Sequence, residues 1–268
     1  MSKPLKDGAS TADRPVFDAA GPAVCWLGGM KAKLDTAPHR ATFADRPAAG
    51  RRLADALSHY RGQQAVVLAV PRGGVPVGFE IAKALGASLD LLFVRKLRAP
   101  AGPEFGLGAI VDGAQPQRCL DQAFIERWQI APDYIESEVR IQLQIIEAWK
   151  QRFRGDRLPL PLAKSTVILV DDGMATGTTI RAALQALELA EAGRKVLAVP
   201  VAPQPIVQSL AGEVDEMVCL LSPADFQSVG FYYADFAPTT DDEVSELLRK
   251  AGSPVSGAVP GRGMRWGM

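Results

Sequence analysis

The sequence predicts an α/β protein with a doubly wound, mainly parallel sheet, a helical insertion and a small hood. Apolar runs too short for helices recur along the chain, and such runs are typical of strands buried on both faces. Segments with helical spacing lie between them, and this alternation favours parallel strands joined by helices. The runs occupy residues 65–70, 89–94, 166–170, 195–201 and 216–221.

The first regular element is a helix that follows an N-terminal extension. Residues 1–40 show no clear period and many small and polar residues, so we expect a weakly ordered extension. Pro47 suits the first turn of a helix, and Leu53, Leu57 and Tyr60 follow near helical spacing. Regular structure is therefore expected to begin close to residue 41.

Three further segments are predicted to be helices. Residues 75–86 and 180–193 each end in a glycine, which is a common helix stop. Residues 131–153 carry apolar side chains at three-to-four spacing, as expected for a long helix packed on the body of the protein. This helix belongs to an insertion at about residues 113–160 that interrupts the alternation of strands and helices.

The C-terminal part is predicted to form a hood and a flexible tail. Residues 222–250 contain an aromatic loop and then a helical segment, in which Thr240 and Glu243 form a capping-box pattern. Glycine and proline are frequent after Gly252, so residues 251–268 are expected to fray.

Composition narrows the functional class. Lys plus Arg and Asp plus Glu number 30 each, whereas a general binder of nucleic acid or membrane surfaces is usually more basic. No apolar run approaches the ~18 residues of a membrane span, and the start lacks the apolar core of a secretory signal. The three cysteines lie far apart, which argues against a zinc ribbon or a redox pair. We therefore expect a cytoplasmic protein that acts on a small molecule.

A motif at residues 166–179 points to a bound sugar phosphate. An apolar run ends in two carboxylates, Asp171 and Asp172, after which small and hydroxyl residues lead into a helix. Ligands of open α/β sheets bind beyond the carboxyl ends of the strands. Ribose hydroxyls can donate to the carboxylates, while a 5′-phosphate reaches N–H groups and threonine hydroxyls at the helix start. The alternative is a polar turn with an incidental acidic pair. The predicted phosphate cradle comprises Gly173, Met174, Ala175, Thr176, Gly177 and Thr178.

This motif, VILVDDGMATGTT, resembles the signature with which type I phosphoribosyltransferases bind 5-phosphoribosyl 1-pyrophosphate (PRPP). The resemblance runs from Phe43 to about Leu248, and it is to bacterial phosphoribosyltransferase-domain proteins whose acceptor is often unassigned. It implies a phosphoribosyltransferase domain at residues 41–250. It also implies transfer of phosphoribose to a nitrogen nucleophile, with Mg²⁺ carried by PRPP near Asp171 and Asp172 and without direct protein ligands.

A second segment, VVLAVPRGGVPVGFEIA, fits the same resemblance. It reads as a strand, a tight loop and a helix, and the resemblance places the pyrophosphate loop at Arg72, Gly73 and Gly74. Glycine permits close approach of backbone N–H groups, and Arg72 offers a fork of donors to phosphate oxygens. The resemblance also implies a non-proline cis peptide at Pro71–Arg72 or Arg72–Gly73.

A third segment, LDLLFVRKLRAPAGPEFGLGAIV, is predicted to carry a lid. A strand ends in Arg95 and Lys96, a Gly/Pro-rich loop of about ten residues follows, and a second strand returns. The resemblance implies that the loop closes over PRPP. Lys96 would then meet the pyrophosphate and act in catalysis with Arg72. A solvated strand end is the alternative for Arg95 and Lys96.

The acceptor is not identified by the sequence. Ala175 stands where hypoxanthine-guanine-type members carry an acid, so the motif is closer to the adenine type, which implies Glu104 in the lid as general acid/base. Phe231 or Tyr232 could stack on a flat base, although packing in the core is equally open.

Two alternative functions stay open. One is a PRPP-binding regulator without catalysis, which would need a nucleic-acid surface that the sequence does not indicate. The other is an enzyme acting on another phosphoribosyl compound. The resemblance also suggests a homodimer.

Overall fold

The computed structural model describes residues 24–27, 30–33, 42–100, 102–112, 116–155 and 157–252, and for 24–27, 30–33 and 102–105 it describes the backbone alone. The strands are β1 (Val24–Leu27), β2 (Met30–Lys33), β3 (Ala65–Ala69), β4 (Ser88–Leu91), β5 (Val94–Ala99), β6 (Gly102–Val111), β7 (Gln117–Leu120), β8 (Thr166–Val170), β9 (Arg194–Val201) and β10 (Glu216–Leu221). The helices are α1 (Arg46–Ala56), α2 (Gly74–Leu85), α3 (Gln122–Arg127), α4 (Pro132–Trp149), α5 (Thr178–Leu189), α6 (Gln204–Leu210) and α7 (Asp241–Ala251).

The central sheet is parallel and has the strand order β10-β9-β8-β3-β4. After β3 the chain first adds β4 on one side and later adds β8 on the other. Ligands of such sheets bind where the strand order reverses. The expected ligand site is therefore between the carboxyl ends of β3 and β8. The parallel sheet itself confirms the predicted fold class.

The apolar runs are buried on both faces because helices cover the sheet from both sides. Ile168 and Val170 share one core cluster with side chains of α1 and α2. Val167 and Leu169 point the other way, into a cluster with side chains of α5 and α6. Strands placed in this way need apolar residues at every position, as the sequence suggested.

The β5–β6 hairpin and the insertion that follows it form a second layer against this body. β5, β6 and β7 make a three-stranded antiparallel sheet, and α4 packs against it through Ile135, Val139 and Ile146. The predicted long helix is confirmed as α4 and continues as a π-helical turn over Lys150–Arg154.

Three predictions about elements were wrong. The apolar run 89–94 is split, because the chain leaves the central sheet after Leu91 and enters the antiparallel sheet at Val94. The structureless loop after Lys96 is instead a hairpin, because β6 begins at Gly102 and pairs with β5. Its glycines and prolines are accommodated by register shifts at Leu97, Arg98 and Ala99.

The third error concerns the end of α5. Gly86 does cap α2 in the left-handed conformation, as predicted. Gly193 does not cap α5, which ends at Leu189. A Cβ at Gly193 would lie 2.6 Å from the carbonyl oxygen of Lys164, so this glycine serves the close approach of two segments.

Most of the predictions about the two ends of the chain stay predictions. β1 and β2 form an antiparallel hairpin inside the expected N-terminal extension, while the rest of residues 1–41 and the tail 253–268 lie outside the described residues. Thr240 Oγ1 accepts the N–H of Glu243 at the start of α7, as the capping pattern predicted. In the described ranges no helix is both long and apolar enough to span a bilayer.

Candidate active site

The two carboxylates after β8 lie at the carboxyl edge of the sheet and are partly buried. The backbone N–H of Asp172 donates to Asp171 Oδ1 at 2.9 Å, which fixes one side chain relative to the other. Asp172 Oδ2 accepts from Arg46 Nε at 2.7 Å. Asp171 has no comparable cationic hydrogen-bond partner among the described residues.

Burial and mutual repulsion set the charge state of this pair. Burial raises the pKa of Asp171 well above its ordinary value, and the neighbouring charge of Asp172 raises it further, against weaker opposing effects of Arg46 and Lys96. Burial also raises the pKa of Asp172, while the hydrogen bond from Arg46 opposes the rise. The pair therefore favours a ligand that donates hydrogen bonds or carries a cation.

Arg46 was missed by the sequence reasoning. It lies in the first turn of α1, its Nη1 donates to the carbonyl of Ala237 at 2.7 Å, and its guanidinium lies 3.8 Å from the ring centre of Phe236. Tyr233 completes the support, because its hydroxyl donates to the carbonyl of Asp172 at 2.6 Å. A single arginine before a proline carries no pattern that could have revealed a partner 126 positions away.

Replacing Arg46 with methionine is expected to destabilise the protein by about 3 kcal/mol, because Asp172 would stay buried without its cation. Asp172→Asn in the Arg46→Met background should restore part of that loss, since the amide carries no charge. Urea unfolding of the wild type, the two single variants and the double variant measures this coupling. If the changes in unfolding free energy of the two single variants simply add up in the double variant, the ion pair does not support the site.

The predicted pyrophosphate loop touches the acidic pair directly. A Cβ at Gly73 would lie 2.1 Å from Asp172 Oδ2, and a Cβ at Gly74 would lie 2.8 Å from the carbonyl oxygen of Val170. Glycine is therefore required at both positions by the closeness of the two loops. The Pro71–Arg72 peptide is cis, at one of the two predicted positions. The Arg72 side chain is exposed, with Nη1 3.3 Å from Asp241 Oδ1.

The segment after the acidic pair forms an open turn at the start of α5. Gly173 and Gly177 have φ angles of 150° and 74°, which favour glycine. In the described part of the chain no acceptor is found for the N–H groups of Ala175, Thr176 and Gly177, which lie at the N-terminal end of α5. Free amides and the helix dipole there suit an anion.

Met174 does not belong to this cradle. Its N–H donates to the carbonyl of Val201 at 3.0 Å, and its side chain is buried in the core. The prediction that Met174 contacts the phosphate was therefore wrong. The hydroxyls of Thr176 and Thr178 lie 3.2 Å apart, beside the free amides at the start of α5.

The β5–β6 hairpin brings positive charge to the site. Lys96 is exposed and close enough for its charge to lower the pKa of Asp171, against the larger effect of burial. Glu104 falls in the backbone-only part of β6, so its side chain lies outside the described residues.

The aromatic loop of the predicted hood also borders the site. A Cβ at Gly173 would lie 2.6 Å from Val229 Cγ1, so this loop packs against the turn after the acidic pair. Phe231 is 40% exposed, whereas Tyr232 is 2% exposed and stacks on Phe226 in the core. Of the two predicted acceptor residues, Phe231 alone has an exposed ring.

Comparisons of the sequence with known proteins identify a family and two relatives. The sequence model of the phosphoribosyl transferase domain matches residues 40–205. Two proteins of Mycobacterium tuberculosis, from strains CDC 1551 and H37Rv, carry provisional phosphoribosyl transferase names and are each 44% identical over 209 residues. That match covers 78% of this chain and 47% of each relative, so the chain spans about half the length of these relatives.

A solved structure matches over the same share of the chain. The crystal structure of the protein TT1426 from Thermus thermophilus is 39% identical and superimposes with a TM-score of 0.65. The match covers 78% of this chain and 98% of that protein.

Proposed function

Because this chain belongs to the phosphoribosyl transferase domain family, we propose that it transfers phosphoribose from PRPP to a nitrogen nucleophile and releases pyrophosphate. One observation carries the proposal. The pyrophosphate loop and the acidic pair form one surface, since Gly73 leaves no room for a side chain beside Asp172. A ligand on that surface reaches a diol-binding pair and an anion-binding loop at the same time.

PRPP fits the distribution of donors and acceptors. Its ribose hydroxyls would donate to Asp171 and Asp172, two carboxylates whose pKa values are raised by burial. Its 5′-phosphate would accept from the free amides of residues 175–177 and from the threonine hydroxyls. Its pyrophosphate would lie between Arg72, the amides of Gly73 and Gly74, and Lys96.

The reaction requires a shift of charge that these residues can support. The bond from the anomeric carbon to the pyrophosphate oxygen breaks and its electron pair leaves with pyrophosphate, which leaves positive charge on the sugar ring. Arg72 and Lys96 would stabilise the departing anion. The acceptor nitrogen then bonds to the anomeric carbon and loses a proton, for which we retain Glu104 as the general base.

Mg²⁺ fits this site as a companion of PRPP. Among the described residues no group of three or more His, Cys, Asp or Glu side chains converges as a metal site would. Asp171 and Asp172 lie where a cation carried by PRPP oxygens could be contacted through water, as Mg²⁺ prefers. When bound, the ion would neutralise charge on the leaving group.

Phe231 is the residue proposed to contact the acceptor. Phe231→Ala is expected to raise the acceptor KM about tenfold with an unchanged Kd for PRPP, because a stacking surface would be lost. Tyr232→Ala is the matched control, and it should lower the unfolding free energy by about 3–5 kcal/mol because the ring is buried. Steady-state kinetics and urea unfolding separate these effects. An unchanged acceptor KM in Phe231→Ala would contradict the assignment.

The proposed function is tested by pyrophosphate release from PRPP and Mg²⁺ with a panel of nucleobases and small amines. Release with one acceptor, lost in Asp171→Asn/Asp172→Asn, would support the enzyme and identify its substrate. PRPP binding that is lost in the double variant, without release for any acceptor, would favour the regulator. We also expect a homodimer, which sedimentation of the purified chain would test.

A further inference from the structure

We propose that Tyr233 is a positioning residue for sugar recognition, whose hydroxyl fixes the turn of the acidic pair so that the site distinguishes ribose from 2-deoxyribose. This inference rests on the proposed function and adds to it a role for the predicted hood. Tyr233 follows the exposed Phe231 in the aromatic loop, but Tyr233 itself is only 5% exposed. Its hydroxyl donates to the carbonyl of Asp172 at 2.6 Å. The hood therefore contacts the backbone of the acidic pair directly.

The carbonyl of Asp172 lies where the turn has few other restraints. The parallel pairing of β8 with both of its neighbours ends at Val170. Among the described residues, Tyr233 is the one donor to the carbonyl of Asp172. The next residue, Gly173, has a φ angle of 150°, which favours glycine. The orientation of the peptide between Asp172 and Gly173 therefore depends on the tyrosine hydroxyl.

Tyr233 resists a shift of that carbonyl, because its ring and its backbone are both held. Its ring centre lies 5.3 Å from that of Phe43 and 5.0 Å from that of Phe236. On either side in sequence, the carbonyl of Tyr232 accepts the N–H of Phe43 at 2.9 Å, and the N–H of Ala234 donates to the carbonyl of Phe43 at 2.8 Å. The hydroxyl therefore extends from a packed and hydrogen-bonded frame.

The same frame also holds the carboxylate of Asp172. The Arg46 guanidinium lies 3.8 Å from the ring centre of Phe236, and its Nε donates to Asp172 Oδ2 at 2.7 Å. The carbonyl and the side chain of one residue are thus both bonded to groups that pack together. Two vicinal hydroxyls need carboxylates at hydrogen-bond distance and in the right direction, and displacements of about 1 Å lose such contacts. Loosening this turn should therefore weaken recognition of the diol.

The hydroxyl of Tyr233 stays protonated and so remains a donor. Burial raises the pKa of Tyr233, and the neighbouring charge of Asp172 raises it further, against a weaker opposing effect of Arg46. A backbone carbonyl can only accept, so the direction of this hydrogen bond is fixed.

The test is calorimetric titration of ribose 5-phosphate and 2-deoxyribose 5-phosphate into wild type and Tyr233→Phe. Phenylalanine keeps the ring and removes the hydroxyl alone. We expect Tyr233→Phe to weaken ribose 5-phosphate about tenfold, the effect of misplacing one hydrogen bond to a charged group. The affinity for 2-deoxyribose 5-phosphate should stay within about threefold, because this sugar already lacks one of the two donors. The preference for ribose should therefore fall.

Tyr60→Phe is the matched control. Tyr60 is also buried, and its hydroxyl donates to Glu216 Oε2 at 2.6 Å, but Glu216 begins β10 at the opposite, amino edge of the sheet. Each variant loses one hydrogen bond, so both should unfold at a lower urea concentration than wild type. Tyr60→Phe should leave the affinities for both sugars unchanged. A merely structural role of Tyr233 would give this same result in Tyr233→Phe.

An unchanged preference for ribose in Tyr233→Phe, whether the two affinities fall equally or not at all, would overturn the inference and leave the proposed function standing. Failure of wild type to bind either sugar, or equal binding of both by wild type, would instead remove the proposed function, and this inference with it.

Discussion

Gly73→Ala is expected to lower kcat/KM for PRPP about 100-fold or more. The backbone of Gly73 is in the right-handed helical region, with φ of −61° and ψ of −34°, so alanine is not strained there by its own conformation. The whole effect comes from a methyl group placed 2.1 Å from Asp172 Oδ2. Either the carboxylate or the loop must move, and displacements of about 1 Å in an active site can cost 10²-fold in rate.

Gly212→Ala is the control for this prediction. Nothing lies within 4 Å of a Cβ at Gly212, so the same chemical change should leave activity at the wild-type level. Steady-state kinetics with PRPP as the varied substrate compares the two variants. Wild-type activity in Gly73→Ala would show that the contact between the loop and Asp172 is not part of the functional site.

Asp171→Asn is expected to weaken PRPP binding and to raise the stability of the protein. The amide keeps an oxygen for the N–H of Asp172 and removes a buried charge next to a second carboxylate. We expect the unfolding free energy at pH 7 to rise on the order of 1 kcal/mol. PRPP affinity should fall at least about tenfold, because a ribose hydroxyl binds a charged acceptor more strongly than an amide.

This stability gain should depend on pH. The folded protein raises the pKa of Asp171, so the folded state binds the proton more tightly than the unfolded chain does. The resulting destabilisation is complete above the raised pKa and disappears as the pH falls toward the ordinary aspartate range. Urea unfolding of Asp171→Asn and wild type should therefore give a difference that shrinks on acidification. A difference that stays constant with pH would exclude this origin.

The central sheet could be predicted because its strands are buried on both faces, so their apolar runs are uninterrupted. Asp171, Asp172 and the glycines after them were also predictable, because the residue types of a sugar-phosphate turn are contiguous in sequence. Gly73 was predicted to lie in a tight loop after β3, and its closeness to Asp172 became visible only when β3 and β8 paired.

The missed features depend on contacts between distant segments. Arg46 reaches Asp172 from another element, and the amide of Met174 is used by Val201 of the neighbouring strand. The hairpin of β5 and β6 was mistaken for a loop because glycine and proline weaken local strand propensity, whereas pairing across the antiparallel sheet overrides it.

The most direct test of the account compares binding of ribose 5-phosphate and 2-deoxyribose 5-phosphate to the wild-type protein by calorimetry. If Asp171 and Asp172 hold the vicinal hydroxyls of a phosphorylated ribose, the deoxy sugar should bind at least about tenfold more weakly, since one buried carboxylate would lose its donor. Equal affinities, or no binding of either sugar, would contradict the assignment of this edge of the sheet as a PRPP site.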